Sequence, residues 1–362
     1  MGQCVIDIGA FFRKQPDNML GIDISASGIK LVGLGGTSEK TVLEHCAIEA
    51  LEAGCVVDGM IEKPDEVASA LRRLVKQAGT KTKKVALALP SSAVITKKLT
   101  IPEGLPSREM EDQVEIEAKQ YIPFPLEDVT LDFVEIGPSS EAFGKVEVFI
   151  AAARRERVDG IKDMLETAGL TPVVVDVSSY ALQLALARVI DLQAKTTPGT
   201  LSVLFKLGAS ATTMQVLRGR DLVYEREQPV GGAQLTQKIA SYYGLSLAEA
   251  EGKKCQGSLA HDYEIRILSP YVDGMVQELG RALQFFFNST QYNKVNQVFL
   301  AGGTALLPGL AVAVASHVQV PCSVINPFEG MVLGSSVKRS RVLQEAPSYL
   351  GACGLALRRF FN

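Results

Sequence analysis

The chain has 362 residues, of which 47% are hydrophobic and 21% are charged, and its formal net charge at pH 7 is −3. This length exceeds one ordinary core, and the composition is that of a globular protein, so two domains are predicted. The slightly acidic balance excludes the basic surface that nucleic-acid binding requires.

The cysteines, the histidines and the apolar segments limit the cellular compartment and the kinds of metal or membrane site that we expect. The six cysteines have no CxxC spacing and the three histidines no HExxH spacing, which predicts reduced thiols, a cytoplasmic protein and no metal cluster. Residues 1–12 form a short apolar run that basic residues follow rather than precede, so we expect a tail over 1–18 and no secretory signal. Glycines and prolines divide the uncharged region 295–328 into strand, turn, helix and strand, too short to span a bilayer.

The first half of the chain predicts a mixed sheet covered by helices. An apolar strand, a turn of small residues and an alternating strand over residues 20–32 predict a β-hairpin. A third strand over 42–51, a helix over 64–78 stopped by Gly79 and a buried strand over 85–89 follow. Alternation of strands and helices of this kind is typical of α/β folds.

The pattern changes after residue 92 and predicts a compact βαββα insert. It consists of a strand over 94–101, a helix over 107–121 capped by Ser107, strands over 129–136 and 146–152, and a helix over 157–168. The rigid break Ile122-Pro123-Phe124-Pro125 follows its first helix. Residues 172–177 are expected to return to the first sheet, with a helix over 178–190 and a crossing into the second half at 196–199.

The second half repeats the opening of the first. A second hairpin is predicted over 203–216, then a strand over 222–225 and a helix over 232–243 that Gly244 stops. Ser246 and Glu249 predict a capping box. A long helix over 270–292, a strand that ends at Gly302-Gly303, a helix that begins at Pro308, and a last helix over 349–361 with Arg358 and Arg359 at its negative end complete the prediction.

The two hairpin tips are candidate phosphate cradles. Small residues let backbone N–H groups approach a ligand, and such turns form nests for anions. In the first tip Ser25, Ser27 and Gly28 would supply hydroxyls and amides, and Asp23 would hold water on Mg²⁺, although an aspartate that caps its own turn is the alternative. The second tip offers Gly208, Ala209, Ser210 and Thr212. Two such tips imply a cleft between two related halves.

These motifs, in this order, resemble the actin-like ATPase superfamily and, in detail, its FtsA-like branch, the PilM family of type IV pilus assembly. Residues 20–30 and 203–213 are similar to the two phosphate motifs and 299–310 to the adenosine motif. The likeness extends over about residues 19–361 through segments 120–129, 226–232, 283–287 and 352–358. It implies an α/β, actin-like (ribonuclease H-like) two-domain fold of mixed sheets with an FtsA-type 1C subdomain insert.

The resemblance also implies a division of the chain. The tail, 1–18, would precede domain 1, 19–195, which comprises subdomain 1A and the 1C insert at about 93–170. Domain 2, 196–340, would comprise 2A with 2B at about 230–292. Residues 341–362 would form a helix that returns to domain 1.

The implied function is a cytoplasmic scaffold that binds ATP with Mg²⁺ and recruits the cytoplasmic N-terminal tail of PilN into a groove near 1A and 1C. Other inner-membrane and motor proteins of the pilus, indirect attachment to the inner membrane, and self-association are also implied. Ile122, Pro123, Phe124 and Pro125 are candidates for the groove wall, because prolines fix a loop and leave apolar surface available. Packing of 1C on 1A is the alternative role for this loop.

Further nucleotide contacts follow from the same resemblance, which also includes Lys30 in the first motif. Gly302, Gly303 and Thr304 would border the adenosine, and Gly231, Gly232, Glu249 and Lys253 the sugar and ring. Glu249 and Lys253 lie four residues apart on a helix, so a surface ion pair is an equal alternative. Asp176 and Ser179 match a connecting motif, although the aspartate could serve only as a helix cap.

Lys206 departs from the family pattern, which has an aspartate there. Reversing this charge should weaken the placement of Mg²⁺, so hydrolysis is expected to be weak or absent. Lys206 either points at the phosphates and replaces part of the metal's charge, or turns away and leaves a site that binds nucleotide weakly or not at all.

Two other functions remain open at this stage. A small-molecule kinase of the same fold would need a catalytic base, for which Asp176 is available, and a filament-forming relative of FtsA or MreB would assemble with concentration. The glycines at 33–36 open no helix, and no GxxxxGK[ST] motif occurs, so dinucleotide and P-loop mechanisms are not expected.

Overall fold

A computed structural model describes residues 18–139, 142–193 and 199–361. The predicted tail, apart from Asn18, and residues 196–198 of the predicted crossing lie outside the described residues. Within the described ranges, none of the helices combines the length and apolar character needed to cross a bilayer.

The first half contains most of a six-stranded sheet and the three-stranded sheet of the insert, as predicted, and a short two-stranded sheet that was not predicted. Its strands are β1 (Leu20–Ser25), β2 (Gly28–Gly36), β3 (Thr41–Ala50), β4 (Val56–Val57), β5 (Met60–Ile61), β6 (Lys84–Leu89), β7 (Val94–Pro102), β8 (Val129–Pro138), β9 (Lys145–Arg154) and β10 (Thr171–Val177). Its helices are α1 (Pro64–Ala78), α2 (Ser107–Ala118), α3 (Arg155–Thr167) and α4 (Ser178–Leu192).

The second half supplies a further sheet and most of the remaining helices. Its strands are β11 (Leu201–Leu207), β12 (Thr212–Arg218), β13 (Asp221–Gln228), β14 (Gln297–Ala301), β15 (Cys322–Val324) and β16 (Val332–Leu333). Its helices are α5 (Ala233–Tyr243), α6 (Leu247–Gln256), α7 (Ser269–Ser289), α8 (Leu310–Val318), α9 (Arg339–Glu345) and α10 (Leu350–Leu357).

The two large sheets share one topology. The first has the order β10-β6-β1-β2-β3-β16 and the second the order β15-β14-β11-β12-β13. In each, an antiparallel three-strand meander opens the half, and the next strands add in parallel beside its first strand. This duplication confirms the predicted α/β, actin-like architecture, with β16 as an added edge strand.

The insert forms a separate antiparallel sheet of order β7-β9-β8. One face packs under α2 with its own apolar core, and the other contributes to a cluster with Leu89 and Val175 of the first large sheet. The closing helix α3 places Met164 and Leu165 in the core of that large sheet. The insert therefore packs against the first large sheet through the second face of its own sheet and through α3. The domain limits drawn from the sequence stay a prediction.

Helices α4 and α10 lie between the two large sheets and join them. Their side chains form one cluster with residues of both sheets, among them Leu34 and Phe299. The approach is close: a Cβ on Gly21 of β1 would lie 2.1 Å from the carbonyl oxygen of Ala352, and one on Gly354 would lie 1.8 Å from that of Ala181. Only glycine fits at these backbone contacts.

Several helix ends differ from the predictions. Ser107 is the first residue of α2 and makes no capping hydrogen bond, because Pro106 occupies the cap position. Pro308 does not begin α8, since the chain makes a short 3₁₀ turn at Gly303–Leu306 and the helix starts after Gly309. The predicted last helix is shorter and ends at Leu357, followed by a 3₁₀ turn. Helix α9 and strands β4, β5 and β16 were not predicted.

We predict that Gly354→Ala lowers the free energy of unfolding by roughly 1–3 kcal/mol or more, because the new methyl group overlaps the carbonyl oxygen of Ala181 and forces α10 away from α4. Gly160→Ala is the matched control, since Gly160 lies on the exposed face of α3 with nothing within 4 Å of the added carbon. Helix propensity alone should make this control neutral or up to about 1 kcal/mol more stable. Urea denaturation of both variants measures the difference, and equal effects would contradict the close packing.

Candidate functional site

The first hairpin tip holds a short network of polar groups. Asp23 on β1 lies opposite Lys30 on β2, and the turn between the strands is closed where Ser25 pairs with Gly28. The Ser25 hydroxyl donates to the Gly28 carbonyl at 3.0 Å, and Lys30 Nζ donates to the Ser25 hydroxyl at 2.6 Å. Ser27 is exposed at the tip. The network fixes the Lys30 ammonium beside the turn.

The second tip is joined to two other segments by its carbonyl groups. The N–H of Gly232 donates to the Gly208 oxygen at 3.0 Å, and the N–H of Ala233 donates to the Ala209 oxygen at 2.9 Å. The Thr304 hydroxyl also donates to the Gly208 oxygen, at 3.1 Å. Three predicted segments of the second half, 208–212, 231–232 and 302–304, therefore meet at one point.

Glycines are required at this meeting point. A Cβ on Gly231 would lie 2.4 Å from the Ala209 oxygen, and one on Gly302, whose φ is +85°, would lie 2.3 Å from the Leu207 oxygen. Gly28 in the first tip is similarly confined against the carbonyl of Glu49. These glycines serve backbone packing, while Gly303 is exposed beside them.

Lys206 connects the two tips. Its Nζ lies 3.4 Å from Oδ2 of Asp23, and both side chains are largely buried. Burial alone would raise the pKa of Asp23, but the ammonium groups of Lys206 and Lys30 outweigh it and lower that pKa below its usual value. Burial lowers the pKa of Lys30 to about 8, although the Asp23 carboxylate opposes the shift. At neutral pH the cleft therefore holds one carboxylate between two ammonium groups.

This donor set does not fit Mg²⁺. The ion prefers carboxylates and water, but the one carboxylate here is already neutralised by Lys206. A divalent ion about 4 Å from the Lys206 ammonium would be repelled by roughly 8 kcal/mol at an effective dielectric constant of 20. Across the described residues, no group of three or more His, Cys, Asp or Glu side chains gathers in a position to hold a metal.

Asp176, the candidate connecting residue, is engaged in a buried ion pair. Arg358 Nε donates to its Oδ2 at 2.5 Å and Arg358 Nη2 to its Oδ1 at 2.9 Å, while the N–H of Val177 also donates to Oδ1, at 2.7 Å. Both oxygens are occupied, so Asp176 is not placed as a free catalytic base. Arg358 was expected at the negative end of the last helix and instead turns inward to this carboxylate.

Other residues predicted to contact the nucleotide make structural hydrogen bonds or are exposed. The Thr212 hydroxyl donates to the Val230 carbonyl at 2.7 Å, whereas Ser210 is exposed at the tip. Glu249 forms the predicted capping box with Ser246, which is confirmed, and Lys253 is exposed on the same helix. Both residues are exposed, and the hydrogen bonds of the Glu249 carboxylate go to Ser246 rather than to the glycine cluster.

The sequence did not point to a neighbouring group of polar side chains on α5 and α6. The Thr236 hydroxyl lies 3.3 Å from the Gly232 carbonyl and donates to the closer Glu251 carboxylate. Lys254 Nζ donates to that hydroxyl at 2.8 Å and to the same carboxylate at 2.6 Å. Thr236 stands one helical turn after Gly232, and that spacing was the available signal. The choice of Lys254 over Lys253 depends on how α6 is rotated against α5, which the sequence did not reveal.

Two apolar cavities border the small sheet. The predicted loop lines the smaller, of about 300 Å³, in which Ile122 is buried in the core of the small sheet and the Phe124 ring lies 4.1 Å from the Arg154 guanidinium. The larger, of about 610 Å³, lies between the small sheet, α4 and the chain end, and we call it the apolar groove. Its lining includes Val134, Ile136, Phe149, Tyr180, Leu184, Leu357, Phe360 and Phe361.

A family model and a solved structure that resemble this chain belong to the same family. The family model described as type IV pilus assembly protein PilM matches residues 21–360. The chain is also similar to a solved structure described as the PilM-PilN type IV pilus biogenesis complex, with 32% identity, a TM-score of 0.76, and coverage of 96% of this chain and 99% of the other. The ethanolamine utilization protein EutJ from Carboxydothermus hydrogenoformans shares the fold, at 16% identity, a TM-score of 0.56 and coverage of 96% and 90%.

The ion pair between Arg358 and Asp176 yields a stability prediction. Arg358→Met should lower the free energy of unfolding by about 3–5 kcal/mol, because it leaves a buried carboxylate without its charged partner. The double variant Arg358→Met/Asp176→Leu should recover most of that loss, since no buried charge remains. Thermal and urea denaturation of the single and double variants measure this, and a double variant no more stable than the single one would contradict it.

Proposed function

The chain belongs to the PilM family of type IV pilus assembly proteins, and on that premise we propose that it is an actin-like scaffold that binds ATP between its two halves and holds the cytoplasmic N-terminal tail of PilN. Through PilN it would sit at the cytoplasmic face of the inner membrane and link that protein to the pilus motor complex. Similarity to the PilM-PilN complex over nearly the whole chain is the observation that supports the partner most directly.

The apolar groove is our candidate for the site of the PilN tail. Its wall on the small sheet carries Ile136, which is 52% exposed, and its opposite wall is α4, where the Tyr180 ring meets the Phe149 ring edge to face at 5.6 Å. Within the part of the chain that the structure describes, this apolar surface is open, and open apolar surface of this size is typical of an interaction site. An ion pair between Arg220 and Asp191, at 2.5 Å, lies among its lining residues. An extended apolar segment with a polar end fits this lining.

The backbone beside the groove favours the same occupant. Among the residues that the structure describes, strand β8 pairs with β9 and lies at the edge of the small sheet, a position at which an extended chain could add as a further strand. Val134 and Ile136 of this edge strand line the groove. An extended tail could therefore gain main-chain hydrogen bonds from β8 and side-chain contacts from the groove.

We predict that Ile136→Glu weakens binding of a synthetic PilN N-terminal peptide by about tenfold or more, because the new carboxylate would be desolvated in an apolar groove. Ile265→Glu is the matched control, since Ile265 is 76% exposed and lies in the other half of the chain. Isothermal titration calorimetry on the full chain gives both affinities.

A third variant in the same titration, Phe124→Ala, tests the loop predicted from the sequence as the groove wall. Loss of peptide binding in this variant, with Ile136→Glu unaffected, would overturn the assignment of the apolar groove and favour the loop. Unchanged binding in Phe124→Ala, together with weak binding in Ile136→Glu, is the expected result.

The nucleotide would lie where the two hairpin tips face each other. We assign its phosphates to Ser25, Ser27, Lys30 and Lys206 with the amides of Ala209 and Ser210 in the second tip. The N–H of Gly208 closes that turn by donating to the Ala211 carbonyl at 2.9 Å, so Gly208 would contribute only its small size. The cluster of Gly231, Gly232, Gly302, Gly303 and Thr304 would border the adenosine, because close backbone packing leaves a surface without side chains there. Glu249 and Lys253 could reach the ligand only from the exposed face of α6.

Helix α10 is a physical link between the two sites. A Cβ on Gly351, in its first turn, would lie 2.8 Å from Oδ2 of Asp23, so the helix touches the cleft directly. Its other end is about 12 Å away, and Leu357, Arg358 and Phe360 there line the groove. A ligand that moves Asp23 would therefore displace α10, whose far end lines the groove proposed for the PilN tail.

We expect ATP and the PilN peptide to change each other's dissociation constant by one common factor, within the roughly 5- to 150-fold range of allosteric coupling. Gly351→Ala should reduce that factor, because the added methyl group displaces Asp23 from the helix. Calorimetric titrations of each ligand with and without the other measure the factor. A peptide affinity that ATP does not alter in the parent chain would contradict the link through α10.

A further inference from the structure

The Lys206 ammonium group lies in the cleft between the two hairpin tips, next to Asp23. Lys206 projects from β11 between Thr213 of β12 and Ala301 of β14, and its Nζ lies 3.4 Å from Asp23, which belongs to the other half of the chain. The sequence left open whether Lys206 points at the phosphates or turns away. The structure directs it into the cleft.

The charge balance supports the same conclusion. Asp23 with Lys206 and Lys30 carries one net positive charge with no metal present. If position 206 were an aspartate, the same groups would carry one net negative charge, and a bound divalent cation would be needed to reach the same value. Lys206 therefore supplies the positive charge that a metal would otherwise bring.

We propose that the Lys206 ammonium takes the place of a divalent cation, so that the cleft binds the phosphate groups of a nucleoside triphosphate without metal. This inference rests on the nucleotide cleft proposed above. Lysine is a compact point charge on a flexible stem, so Nζ can turn from Asp23 to a phosphate oxygen or bridge the two. No bond is made or broken in this step.

The same arrangement disfavours turnover. Phosphoryl transfer depends on precise positioning of metal, nucleophile and base, and a lysine cannot hold an ordered shell of water about a phosphate as Mg²⁺ does. Asp176, the carboxylate that could activate water, has both oxygens engaged by Arg358. ATP would then act as a stable ligand that holds the halves together.

Nucleotide binding to the full chain, measured by calorimetry with ATP and with tripolyphosphate in EDTA and in Mg²⁺, tests the inference. We expect the two dissociation constants for each probe to agree within about twofold. Lys206→Met should weaken binding about tenfold or more in both conditions, with no rescue by Mg²⁺. Lys76→Met is the control, since Lys76 is exposed on α1 away from the cleft, and it should bind as the parent does.

Lys206→Asp provides the converse test. This variant should bind ATP weakly in EDTA and regain affinity in Mg²⁺, and it should bind Mn²⁺ alone, as seen by electron paramagnetic resonance, where the parent chain does not. Retained native unfolding transitions in both variants show that they fold.

Two negative outcomes are distinguishable. Loss of about tenfold or more of the parent chain's ATP affinity in EDTA would overturn the inference and leave the proposed nucleotide site standing. Absence of ATP binding in every condition would overturn the proposed nucleotide site and the inference with it.

Discussion

The ion pair between Lys206 and Asp23 is the contact on which the central cleft depends. The two residues are 183 positions apart in the chain, and each stands within two residues of the end of the first strand of its half. Duplicated hairpins place their tips face to face, and two carboxylates at these positions would repel each other. A lysine on one side turns that repulsion into attraction, so this ion pair adds to the apolar packing of α4 and α10 that joins the halves.

The position of α10 explains how binding of ATP in the cleft could affect binding of the PilN tail in the apolar groove. Close backbone contacts at Gly21, Gly351 and Gly354 leave α10 little freedom to move independently of β1 and α4. Because α10 is tightly packed, a movement of its end at Asp23 is transmitted to its other end at the apolar groove better than it would be in a loosely packed helix. The buried pair of Arg358 and Asp176 anchors its far end to the first sheet.

Local patterns in the sequence were sufficient for most elements and for the duplicated hairpins. Helix α1, for example, begins at Pro64 and is stopped by Gly79 in a left-handed conformation, as predicted. Contacts between distant segments were not readable in this way. The pairing of Arg358 with Asp176, the lining of the apolar groove by segments far apart in the chain, and the orientation of Lys206 each depend on tertiary packing. Residues 122–124 of the predicted loop line the smaller cavity and not the apolar groove.

The position of the Lys206 ammonium in the nucleotide complex is the central claim, and a crystal structure of the chain grown with ATP in EDTA tests it most directly. The account predicts a triphosphate between the hairpin tips with Lys206 Nζ in hydrogen-bond contact with a phosphate oxygen and no metal beside it. A triphosphate bound there with Lys206 still directed only at Asp23, and with the phosphates held entirely by other groups, would contradict it.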